Sequence, residues 1–60
     1  MPTKKLTPIE LREIAIVALV DERTLRRALA GATVRHLSRE RIRRELANRG
    51  LLALLPLEAR

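Results

Sequence analysis

Apolar residues recur at helical spacing through the first half of the chain. Leu11, Ile14, Ala15, Ala18 and Leu19 form an i, i+3, i+4, i+7, i+8 stripe, and Leu25, Ala28 and Leu29 carry the pattern into a second segment. Farther on the stripe thins: Ile42 and Leu46 stand one turn apart, with Leu37 and Leu51 left to close its ends. No window alternates polar and apolar residues between turn signals, so the pattern predicts an all-α protein with three helices and no strand.

Each predicted helix has its own start signal. In Leu6-Thr7-Pro8-Ile9-Glu10-Leu11, Thr7 is placed as N-cap, Pro8 at the first helical position and Glu10 where a capping box requires it, with Leu6 and Leu11 as a hydrophobic staple. The device recurs with Asp21 as cap and Val20 and Leu25 as staple, and again with Ser38 as cap and Leu37 and Ile42 as staple. Helices are therefore expected to begin near Pro8, Glu22 and Arg39. Gly31 and Gly50 follow the second and third, where a left-handed residue closes a helix. About three residues separate the first two helices, the joint of a helix-turn-helix, and the pairing should bury Ala15, Ala18, Leu25 and Ala28 together. The chain divides into a basic arm (1–6), a three-helix domain (7–50) and a leucine-rich tail (51–60).

Sixty residues make one domain at most, and a fold of this size buries only about 60% of the surface its unfolded chain exposes, which argues against a deep catalytic cleft. Glu10 and Glu13 share a helix face, but no nucleophile, metal cluster or glycine-rich phosphate loop accompanies them, so no enzyme activity and no cofactor are expected. Cysteine is absent and histidine occurs once, which leaves no thiolate site and no zinc shell. The longest apolar stretch, Ala15 to Val20, is far short of the roughly 20 residues a membrane span needs, and charged residues interrupt any signal-peptide core. A cytoplasmic, nucleoid-associated protein is the expectation.

Charge changes this picture most. Thirteen lysines and arginines oppose seven acids, a net charge of +6, and residues 21–49 hold nine arginines against four acids. Arg23 and Arg27 stand four apart on one face of the second helix, a like-charge pair costing about 0.2–0.5 kcal/mol in an isolated helix, and Glu22 offsets only part of it through Arg26. A polyanion would relieve that repulsion and release counterions on binding. Without Phe, Tyr or Trp there is no platform for stacking unpaired bases, so the expected partner is double-stranded DNA.

Glu22, Arg23, Arg26 and Arg27 are the candidate base-reading residues, because the start of the second helix enters the major groove and arginine pairs with guanine through two hydrogen bonds. Glu22 has a second reading as a first-turn acid serving the helix dipole. Candidate phosphate contacts are Lys4, Lys5, Thr24, Thr33, Arg35, Arg39 and Arg43, with a packing role for Thr24 as the alternative. His36 reads as a solvated loop residue. On the third helix, Glu40 with Arg44, Arg41 with Glu45, and Glu45 with Arg49 are expected to pair, leaving Arg39 and Arg43 without an acid.

The stretch from Leu11 to Ala30 resembles the helix-turn-helix of bacterial repressors, most closely the DNA-binding headpiece of the lactose-repressor family. The likeness lies in Ile14-Ala15, Val20 followed by a cap, Thr24-Leu25, Arg27 and Leu29, and Leu37-Ser38 opening a third helix extends it to about Leu51. It implies a recognition helix whose base-reading positions fall on Glu22, Arg23 and Arg27. Three features depart from the family: Leu19 stands where it keeps a turn glycine, the loop before Ser38 is a little longer, and no effector-binding domain is expected. A small stand-alone transcriptional regulator of phage, excisionase or accessory-repressor type is the expectation.

The tail carries Leu51, Leu52, Leu54, Leu55 and Leu57, and the first helix has apolar residues off its stripe, Ile9, Ile16 and Val17. Either the tail folds back over them, with Leu51 and Leu52 foremost, or these groups meet their copies in a homodimer suited to half-sites about 34–36 Å apart. Two other functions fit the composition: a protein-interaction module, antitoxin-like or adaptor, docking through the tail, and, more distantly, a membrane-surface peptide.

Overall fold

A computed structural model describes residues 6–56. Three helices follow in order, α1 (Pro8–Ala18), α2 (Glu22–Leu29) and α3 (His36–Asn48), and a single 3-10 turn spans Leu52–Leu54. No strand occurs among the described residues. Lys4, Lys5 and Leu57 lie outside them.

At the start of α1 both halves of the capping box are present. The Glu10 amide donates to Thr7 Oγ1 at 3.1 Å, and the Thr7 amide donates to Glu10 Oε1 at 2.9 Å. The other two starts are weaker than the sequence pattern suggests. Asp21 occupies the N-cap of α2 in extended backbone, yet its side chain makes no capping hydrogen bond. The third helix begins earlier than expected: Arg35 is its N-cap and His36 its first residue, so His36 is not in the loop and Ser38 is not a cap. The reason lies in packing, since Val34 rests against the core and takes the apolar entry position, while Leu37, expected to staple, stays 60% exposed.

All three helices end in one motif. After α1 the Leu19 amide donates to Ile16 O and the Val20 amide to Ala15 O; after α2 Gly31 donates to Ala28 O and Ala32 to Arg27 O; after α3 Gly50 donates to Ala47 O and Leu51 to Leu46 O. These pairs, five-to-two and six-to-one, are the Schellman termination, and each requires a left-handed residue. Gly31 and Gly50 supply it with φ of 85° and 72°, and Leu19 supplies it with φ of 60°. Leu19 therefore leaves the α1 stripe and is 73% exposed, a correction to its expected place in the core, because the helix has ended one residue before it.

The core is Ile14, Ala15, Leu25, Ala28, Ile42 and Leu46, with Ala18 also buried. Burying each large aliphatic side chain contributes roughly 1.5–3 kcal/mol. Helix α1 packs most extensively on α3 and next on α2, so it is the element on which the other two are mounted. Leu51 and Leu55 pack against the same core, whereas Leu52, expected to fold back, is 41% exposed. The 3-10 turn accounts for the difference by placing Leu55, rather than Leu52, over the core.

Candidate nucleic-acid interface

Helix α2 turns Leu25 and Ala28 inward, and the helical period then leaves Arg23, Arg26 and Arg27 exposed on its other side. Arg26 pairs with Glu22 at 2.5 Å, so that on this exposed face its charge is matched by an acid. Arg23 and Arg27 form no salt bridge among the described residues. Beside them the chain passes Gly31, turns through Thr33, Val34 and Arg35, and enters α3.

These elements enclose a shallow groove of about 270 Å³. Its walls are Arg23, Thr24 and Arg27 from α2, Thr33, Val34 and Arg35 from the loop, and Ser38 from the first turn of α3. Three guanidinium groups and three hydroxyls converge there, and no carboxylate lines it. Such a lining suits oxygen anions: guanidinium makes two parallel hydrogen bonds to phosphate, and hydroxyls add single donors. Five residues singled out from the sequence, Arg23, Thr24, Arg27, Thr33 and Arg35, thus come together although up to twelve positions separate them. Ser38 is not among them, because its sequence signal is that of a helix cap; it stands instead in the first turn of α3 and lines the groove.

Other candidates are placed elsewhere. Arg39 donates from Nη2 to the Pro56 carbonyl at 2.6 Å, tying α3 to the tail segment, and its Nη1 is buried without a partner. Arg43, expected to lack an acid, is held by Glu40 one turn back, with Nη2 to Oε1 at 2.9 Å. That hydrogen bond holds the Glu40 carboxyl below the ordinary carboxylate range and raises Arg43 in turn. Glu45 pairs with Arg49 as expected, while Glu40 selects Arg43 in place of Arg44, so Arg41 and Arg44 form no salt bridge among the described residues.

A second depression, of about 470 Å³, lies between the end of α1 and α3. Val17, Leu19 and Leu37 give it an apolar floor, and Arg41 and Arg44 stand with Glu40 and Glu45 at its rim. No group of acids and histidines among the described residues is arranged to hold a metal ion, and no helix there is long and apolar enough to cross a membrane. No protein-family model, curated protein or solved structure matches the chain.

Proposed function

We propose that the protein binds double-stranded DNA in a sequence-specific manner through α2, acting as a small transcriptional regulator or phage-type DNA-binding factor of helix-turn-helix class. One observation carries the reading: Arg23, Arg27 and Arg35 share one acid-free, hydroxyl-lined groove on the outer side of α2. The joint between α1 and α2 supports it, being three residues long with a left-handed residue at position 19, where the lactose-repressor headpiece keeps its glycine. On this reading Arg23 and Arg27 reach base edges, Arg26 and Glu22 flank them as a pair, and Thr24, Thr33, Arg35 and Ser38 hold the phosphate backbone.

The test is a duplex selected from a random pool, titrated at two salt concentrations. Arg27→Ala should weaken the selected duplex by about 1–3 kcal/mol and relax preference at one base position. Arg35→Ala should weaken all duplexes alike and reduce the salt slope by about one. Binding that ignores salt, or losses that do not distinguish the two variants, sinks the assignment.

A second reading, a protein-docking module of adaptor or antitoxin kind, is favoured by the apolar floor of the larger depression, where Val17, Leu19 and Leu37 remain exposed. It predicts that Leu37→Glu abolishes partner binding while duplex affinity, if any, is untouched.

A further inference from the structure

We propose that the depression between the end of α1 and α3 receives an amphipathic helix of a protein partner, one that carries aliphatic side chains on one face and carboxylates along the edge of that face. The partner so described rests on the docking-module reading, and none of the residues lining the depression lines the groove on α2. The floor is apolar and open, since Val17, Leu19 and Leu37 are each more than half exposed. Leu19 stands out among them. It holds a left-handed φ of 60° that Gly31 and Gly50 supply at the other two helix ends, and its side chain is 73% exposed, so within one chain the leucine gives neither backbone ease nor burial. Strained backbone of this kind clusters where a side chain meets a ligand.

Charge fixes the sign of the partner. The two acids at the rim are already matched, Glu40 by Arg43 and Glu45 by Arg49, and neither of those arginines lines the depression. Arg41 and Arg44 form no salt bridge among the described residues, so the rim keeps two uncompensated cations beside an apolar floor. A peptide seated there is complementary when its carboxylates face Arg41 and Arg44. The spacing suits a helix. Leu37, Arg41, Arg44 and Asn48 follow i, i+4, i+7, i+11 along one side of α3, about 16 Å or three turns, and carboxylates three or four residues apart on a helix laid alongside repeat at the same interval. A membrane surface would ask for an apolar face standing proud of the molecule, whereas this one is recessed between two helices.

The probe is a random library of displayed peptides, each about 14 residues or four helical turns long, selected on the full chain at physiological salt. Enriched peptides should carry aliphatic residues at i, i+3 or i+4, and i+7, with Asp or Glu beside them. Measured with one such peptide, Leu37→Glu should abolish binding and Arg41→Glu or Arg44→Glu should weaken it roughly tenfold, while Arg27→Glu, the same change of charge in the other groove, should leave it nearly unchanged. Leu19→Gly should weaken it roughly fivefold although the chain itself becomes more stable, a split that a merely structural role does not produce. Replacing the peptide's acids by lysine should restore affinity for the chain with both Arg41→Glu and Arg44→Glu. Far-UV circular dichroism confirms that each variant is folded. Peptides that depend on Leu37 but lack carboxylates, equal losses at Arg27 and Arg41, or an affinity unchanged by Leu19→Gly overturn the acidic partner and keep the docking module. No peptide that depends on Leu37, or vesicles of phosphatidylglycerol bound through Leu37 in its place, overturns both. Duplex affinity is scored separately, and its absence bears on α2 alone.

Discussion

At the scale of single residues, Leu19 is the position where the chain departs most from local preference. It adopts a left-handed conformation that costs a non-glycine residue roughly 1–2 kcal/mol, and at 73% exposure it gains little burial in return. The same termination at Gly31 and Gly50 carries no such cost. Leu19→Gly should therefore raise unfolding stability by about 1 kcal/mol, less than the full strain because glycine also loosens the unfolded chain. Leu19→Ala, still a residue with a Cβ, should leave it nearly unchanged. Urea denaturation of the two variants decides the matter, and equal effects would mean that Leu19 is strained for no backbone reason. Arg39 and Arg43 make a complementary point: their charges were legible in the sequence, but their partners, Pro56 and Glu40, depended on rotamer and on distant chain.

At the scale of elements, the three helices differ in how firmly they are begun. Helix α1 has a reciprocal capping box, whereas Asp21 offers α2 only its charge near the positive helix end. Thr7→Ala should thus cost about 1 kcal/mol, within the usual range of 0.5–2 for a lost cap, and Asp21→Ala a smaller amount, about 0.3–1 kcal/mol that fades as salt is added. Thermal unfolding at low and high salt distinguishes them; a salt-dependent loss at Thr7, or a salt-independent one of equal size at Asp21, contradicts this account. Helix α3 shows where cap signals mislead. Ser38 has the composition of a cap, but Val34 packs on the core and draws the start of the helix three residues forward, so tertiary burial overrode a local preference worth only about 1 kcal/mol.

At the scale of the whole molecule, a chain of 60 residues rests on very few large side chains: among the described residues Ile14, Leu25, Ile42 and Leu46 are the fully buried ones. A core this small supplies only about 3–5 kcal/mol of net stability, and a buried Leu→Ala costs about 2–5. Leu46→Ala should therefore leave the chain largely unfolded near physiological temperature, a result visible as lost helicity in circular dichroism, while Leu52→Ala, at a half-exposed tail position, should not. A cooperative melt of Leu46→Ala at the parent temperature would show that α3 is not needed to hold α1 and α2. The sequence by itself determined the number of helices, the inward faces of α1 and α2, two of the three glycine-type terminations and the clustering of arginine, because these follow from period, caps and backbone freedom that act within a few residues. Only the tertiary structure decided where α3 begins, which leucines of the tail reach the core, which arginines are tied down, and that Arg23, Arg27 and Arg35 share a groove with Ser38. Those outcomes turn on the contact of segments far apart in the chain, where the burial of a single aliphatic side chain outweighs any local signal.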